Sequence, residues 1–198
     1  MLLEFSFDDG VEEDKKVIEI LNKYGQIATF YIPILSWGFK NIETYDNQLI
    51  GAHTVTHPQD LKLLSEDILF KEIGYSKYLL EKETDKTVQS FCPPRGRYNK
   101  EVVEMCKWFD FVEVRTTRVL SKKESDHIVK NTTVHMYQRK EYKNDDIFTT
   151  VEKYSNGDYF HLWGHAWEIE KYDLWDVFEE SVKYLSTKVY ERFNSLGK

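Results

Sequence analysis

The chain is expected to fold as a single α/β domain, a compact βα barrel spanning residues 1–198. Short β-rich runs alternate with helical patterns about seven times. No Pro/Gly/Ser linker, internal repeat or low-complexity tract interrupts that alternation. The chemically reactive side chains fall at the carboxyl ends of the strand-like runs, where parallel βα architectures share one face. An open doubly wound sheet is the alternative that the same alternation permits.

Taken in order, LLEFSF opens as a strand, and VEEDKKVIEILNKYG places Val17, Ile18, Leu21 and Tyr24 at helical spacing with Gly25 as C-cap. QIATFYIP is a second strand stopped by Pro33, and LIGAHTV a third. SEDILFKEIGYSKYLLEKET reads as a helix with Ser65 as N-cap and Ile68, Leu69, Ile73 and Leu80 on one face. VQSFCPP is a fourth strand, NKEVVEMCKWF a helix capped by Asn99, and FDFVEVRTT and NTTVHMYQ are further strands. NDDIFTTVEKYSNG reads as a helix, YFHLWGH as the last strand and LWDVFEESVKYLSTKVYERF as the closing helix.

Composition narrows the function. The chain has 198 residues, 41% hydrophobic and 31% charged, as in an ordinary globular protein. Its net charge of −7 and lack of a basic run argue against a nucleic-acid partner. Thirteen Tyr, twelve Phe and five Trp fill a core or furnish the contact surface of a sugar or peptide cleft. Cys92 and Cys106 form no CxxC pair and are expected to be free thiols. MLLEFSFDDG has neither a basic n-region nor a long apolar run, so no signal peptide or membrane span is expected and the expected location is the cytoplasm.

The reactive groups cluster by position. Asp8 and Asp9 follow the first strand, His53 and His57 the third, PPRGRYN the fourth, Arg115 the fifth and His165 the last. A lone DDG is also an ordinary solvated turn. In GAHTVTHP two His four apart flank β-branched residues and stop at Pro58, and Thr54 occupies the Glu position of an HExxH helix, which excludes that motif. Two imidazoles and a carboxylate make a sound ligand set for Zn²⁺ or a similar divalent ion. If Asp9 joins His53 and His57, Asp8 is left to act as a general base. The PPRGRYN turn either aims backbone N–H groups at an oxyanion or simply connects strand to helix. His165 in GHAWE has His161, earlier on the same strand face, as competitor. His135 is expected to be structural and His127 solvated, while Trp163 and Trp167 serve packing or a cleft. There is no GxGxxG, Walker loop or GxSxG.

Together, FSFDDG, HTVTHP, FCPPRGRYN and a late strand ending in His resemble the ordered motifs of the polysaccharide deacetylase family, the NodB-homology carbohydrate esterases, from residue 5 to about residue 168. The resemblance implies a distorted (β/α)7 barrel, a divalent metal (zinc, with cobalt or nickel as options) and hydrolysis of N-acetyl or O-acetyl groups on a glycan. Position by position it implies Asp9, His53 and His57 as metal ligands and Asp8 as general base. It makes the Arg95 amide an oxyanion donor and His165 the general acid, with Pro94, Gly96, Tyr98, Trp163 and Trp167 meeting the sugar. Many members carry Arg before the two prolines, where this chain has Cys92. Arg115 of VRTT is expected to supply that charge, as RTT recurs here in similar members lacking the usual motif. GHAWE is similar to the HPWE ending of a branch that hydrolyses cyclic amides and imides. Ring opening is therefore an alternative activity, and a silent glycan-binding module a third reading.

Overall fold

A computed structural model describes residues 1–125 and 127–196, with side chains as far as Tyr190. The chain runs β1 Leu2–Asp8, α1 Asp14–Lys23, β2 Thr29–Ile32, α2 Trp37–Lys40, β3 Leu49–Ala52, then α3 Glu66–Phe70 and α4 Ser76–Thr84 joined by a π turn at Lys71–Tyr75. It continues with β4 Ser90–Phe91, α5 Lys100–Trp108, β5 Glu113–Arg115, β6 Val129–Lys130, β7 Val134–His135, α6 Ile147–Tyr154, β8 Tyr159–Gly164, α7 Ala166–Lys171 and α8 Trp175–Leu196. The strands form an eight-stranded sheet in the order β6-β5-β4-β3-β2-β1-β8-β7. Each recorded pairing is parallel, so the sheet curls into the distorted barrel expected.

The expected strand NTTVHMYQ takes a different form. The run from Val129 to His135 pairs first with β5 (Val114↔Val129) and then with β8 (Val134↔Leu162), bridging the two edges of the sheet. Of the expected strand only β7 remains, and the eighth strand among the described residues is β6, which lies before Asn131 and outside the expected run.

Strand periodicity sorts the side chains into two layers. Phe5 and Phe7 of β1 point outward, where Phe7 packs on Phe30 and on Phe178 of α8. The alternate residues line the barrel interior, and that lining is polar. Ser6 Oγ lies 2.8 Å from His161 Nε2, Tyr159 donates to Glu4 and Tyr31 to Glu113. Asp8 and Arg115 form the next layer up, with the guanidinium held between the rings of Tyr31 (4.9 Å) and Trp163 (4.5 Å).

Helix ends follow their sequence signals in most places. Gly25 (φ 65) closes α1 as Gln26 N–H donates to Leu21 O and Gly25 N–H to Asn22 O, a Schellman arrangement. Asn99 accepts from Val102 N–H as the N-cap of α5. Ser65 makes no side-chain capping bond; instead its carbonyl receives the N–H groups of Ile68 and Leu69. Ile68, expected on the buried face, is 47% exposed. Leu69, Ile73 and Leu80 turn toward the core, and a residue adjacent to Leu69 lies about 100° around the helix from it. Cys92 and Cys106 are free and buried. No helix among the described residues is long and apolar enough to cross a membrane.

Candidate active site

At the carboxyl mouth of the barrel the chain leaves its strands through left-handed residues. Asp9 (φ 81), Thr54 (φ 70), His57 (φ 54) and Arg95 (φ 59) all adopt a conformation that is uncommon for residues other than glycine. Backbone strain of this kind persists where the surroundings over-determine it. After β1 the DDG loop is pinned from beneath. Gly38 N–H donates to Gly10 O at 2.7 Å, an approach so close that a Cβ on Gly38 would sit 2.8 Å from Gly10 Cα. Asp14 Oδ2 accepts from Val11 N–H and from Tyr45 Oη, while Asp14 Oδ1 is buried with no partner. Burial pushes the Asp14 carboxyl up to about 8 in spite of those two donors.

The two carboxylates of the loop face different surroundings. Asp8 is 3% exposed; Arg115 Nη2 donates to its Oδ1, and Cys92 Sγ lies 3.6 Å from its Oδ2. Burial alone would raise the Asp8 carboxyl, but the Arg115 guanidinium, then His53 and His165, hold it below its ordinary value. The guanidinium from β5 therefore stands against Asp8, while Cys92 contributes only a thiol with its own pKa raised by burial. Asp9 Oδ1 faces His57 Nε2 at 3.3 Å and His53 Nε2 at 3.6 Å, and its Oδ2 accepts from Trp167 Nε1 at 2.9 Å.

The donor set has the chemistry and spacing of a divalent-ion site. His53 Nδ1 lies 2.6 Å from the Cys92 carbonyl, which can only accept, so Nδ1 carries a proton and the neutral ring presents its Nε2 lone pair. That lone pair looks at a carboxylate oxygen, an arrangement of two acceptors that a cation relieves. Ligands about 2.0–2.1 Å from a tetrahedral ion stand about 3.3 Å from one another. The observed separations, 3.3 and 3.6 Å, match that edge, so Asp9, His53 and His57 fit a zinc-like ion.

His165 closes the far wall. Its Nδ1 donates to Glu168 Oε2 at 2.6 Å, leaving Nε2 directed at Asp8 Oδ2 (3.9 Å) and Asp9 Oδ2 (4.0 Å). Burial works against its charged form, yet the Glu168 hydrogen bond and the two aspartates outweigh this and raise its pKa. His161 sits one layer deeper, bound to Ser6 and 3.0 Å from Tyr159 Oη, and burial depresses it to about 3. Of the two histidines, only His165 reaches the aspartate pair.

These groups line a cleft of about 620 Å³. Another depression, about 580 Å³ between α3 and α5, lies away from the strand ends and carries no such convergence. Of the PPRGRYN turn only Arg95 reaches the cleft wall; Pro94 is buried, Tyr98 packs against the core, and Gly96 backs onto Thr117. Trp163 lines the floor at 1% exposure, its ring covered by Arg115 and by His135 at 4.1 Å. It is thus a packing residue of the floor, and Trp167 offers the more accessible ring.

Several participants escaped the sequence. His135 is structural only in part: it lines the cleft with Nε2 3.2 Å from Glu168 Oε2. Glu168, held down to about 2 because its contacts with His135 and His165 outweigh burial, lies against both imidazoles. Its spacing from His165 in GHAWE, one helical turn, was the available signal. Asp14 had none.

A parallel βα barrel with carboxylates and imidazoles converging at its carboxyl mouth places the chain in the class of α/β barrels that carry their polar site at the strand ends. The chain belongs to the polysaccharide deacetylase family, whose profile matches residues 2–114. No curated protein matches it. Among solved structures it is similar to a family 4 carbohydrate esterase from Streptomyces lividans in complex with acetate (15% identity, 96% of this chain and 88% of that one, TM-score 0.67). It also resembles peptidoglycan deacetylase PdaC from Bacillus subtilis (20% identity, 94% and 84%, TM-score 0.63). A third likeness is to a family 4 pseudoenzyme from Bacillus anthracis (19% identity, TM-score 0.65), covering 96% of this chain but 61% of that one. At these identities the likeness establishes the fold, and the first such structures extend well beyond the length of this chain.

Proposed function

We propose that the protein is a metal-dependent hydrolase that removes acetyl groups, N-acetyl foremost, from an amino sugar of a glycan. The observation that carries this reading is the division of labour at the mouth. Asp9, His53 and His57 are spaced as ligands, while Asp8 and His165 stand beside them with opposite charge preferences. A divalent ion, zinc foremost, would supply Lewis acidity to the acetyl carbonyl and acidify a water there.

Asp8, ionised and oriented by Arg115, takes the proton of the attacking water. The backbone N–H of Arg95 faces the developing oxyanion. His165, protonated and fixed by Glu168, delivers its Nε2 proton to the departing nitrogen, and acetate is released. Trp167 serves the sugar with an aromatic face. Separate acid and base give a bell-shaped dependence of kcat/KM on pH.

Because the structural neighbours include a pseudoenzyme, the test must count both metal and turnover. Elemental analysis of the wild type is expected to find about one equivalent of divalent metal, lost in the His53→Ala, His57→Ala double variant. Metal-replete wild type is expected to release acetate from N-acetylated sugar oligomers. Wild type that takes up no metal on reconstitution overturns the reading. Metal uptake and glycan binding without acetate release would instead identify a silent binding module.

A further inference from the structure

The His53–His57 loop is held in an unfavourable shape, and the group that holds it lies in another element. Thr54, a β-branched residue, is left-handed at φ 70, and His57 is left-handed at φ 54. A residue of this kind is strained and persists only where its surroundings impose it. The conformation matters because it folds the His57 imidazole back to 3.3 Å from Asp9. Part of the restraint is local: His57 N–H donates to Thr54 Oγ1 at 3.0 Å. On one flank Ile34 and Leu35 donate to the carbonyls of Thr54 and Val55.

The other flank is Glu72. Its Oε2 accepts from the N–H groups of Val55 and Thr56, each at 2.9 Å, and its Oε1 accepts from Thr56 Oγ1 at 2.6 Å. All three recorded donors belong to the loop, so this 7% exposed carboxylate is fixed by the loop just as the loop is fixed by it. Glu72 stands in the π turn Lys71–Tyr75, where an extra residue per turn lets Glu72, Ile73 and Gly74 all be buried. A regular α-helix, turning about 100° per residue, would carry one of the neighbours of Ile73 toward solvent.

We propose that Glu72 is a positioning residue for the metal centre: through Val55 and Thr56 it sets the left-handed turn that presents His57. This rests on the metal reading of Asp9, His53 and His57. The role is one of reach, since two main-chain amides and a hydroxyl must be met at once from a fixed point on the π turn.

Reach and charge are separated by two variants. Glu72→Asp keeps the charge and shortens the arm by one methylene; Glu72→Gln keeps the arm and an acceptor for the amides, and its carboxamide N–H meets the Thr56 hydroxyl. Zn²⁺ affinity, from competition with a chromogenic chelator, is expected to fall about 10–100-fold in E72D and to stay within about threefold in E72Q, the range for removed outer-shell partners. Amide hydrogen exchange of Val55 and Thr56 in metal-free protein is expected to accelerate in E72D alone. Wild-type affinity in E72D overturns the proposal, and weakening of E72Q alone would make charge the cause; equal weakening in both variants also overturns it, because reach would then not set the loop. If the wild type itself binds no Zn²⁺, the metal reading fails. The exchange data then still decide the loop: unaltered protection in E72D would show that Glu72 does not hold it.

Discussion

Asp14→Asn converts a buried acid into its neutral isostere and reads out the charge state of the folded protein. In the native state Asp14 accepts from Val11 N–H and Tyr45 Oη while its other oxygen has no partner. Burial raises its pKa to about 8 from the ordinary 3.8. A carboxyl raised on folding binds its proton more tightly in the native state than in the unfolded one. It therefore adds stability that is complete below the unfolded value and is lost as pH rises through the folded value. Linkage over the interval from about pH 5.5 to about pH 8.5, for a folded pKa of about 8, is on the order of 2–3 kcal/mol. Asparagine offers the same acceptor to both donors and an N–H₂ where the orphan oxygen lay, so the variant should lack this slope. Urea unfolding followed by tryptophan fluorescence at both pH values, wild type against D14N, cancels every other titration. The variant is expected to gain about 2–3 kcal/mol on the wild type at the higher pH, a relative rise in Tm of about 4–12 °C for a chain of this size. Parallel stability profiles would refute the reasoning, because they would mean that Asp14 is ionised in the fold.

Two predictions concern the mouth. Arg115→Met leaves the Asp8 carboxylate buried without its cation, which is expected to cost about 3–5 kcal/mol in chemical denaturation. Since Arg115 helps hold Asp8 down, its loss raises that pKa, and the acid limb of kcat/KM should move to higher pH; an unmoved limb would separate Arg115 from the base. Glu168→Gln removes the hydrogen bond that keeps His165 protonated, so the basic limb should move to lower pH while Zn²⁺ binding is retained, both read from a pH–rate series and a metal titration.

The outline of fold and site was legible because both follow from local pattern. Alternation of strand-like and helical runs gave the barrel, and placing DDG, HTVTH, VRTT and the late His at strand ends brought Asp8, Asp9, His53, His57, Arg115 and His165 to one mouth. His161 and His165 share a strand parity, so only depth along the barrel separates them, and His161 lies one layer below the aspartates. What the pattern could not carry is partnership between elements. Asp14 looks like any acid of VEEDKK until Tyr45 covers it. Glu72 looks like a solvated helix residue until a π turn rotates it inward, and a π turn has no periodic signature. His135 resembled a core histidine because its strand is two residues long and its neighbour Glu168 arrives from beyond β8.

The sheet order has a consequence for the autonomy of the two halves of the chain. From β1 to β5 each strand lies beside its predecessor, so those contacts form between segments near in sequence. The opposite flank of β1 is filled by β8, through six residue pairs running from Leu2↔Tyr159 to Phe7↔Gly164. A fragment ending at residue 114 would retain the whole stretch that matches the family profile yet leave one flank of β1 as an unpaired edge, the kind of surface that recruits other chains. Closing a loop of this length must precede the docking of β8, which makes that docking the slow, non-local event of assembly. The strand that covers this flank also leads into His165, so Asp8 and Asp9 meet that third imidazole only when the edge of β1 is buried.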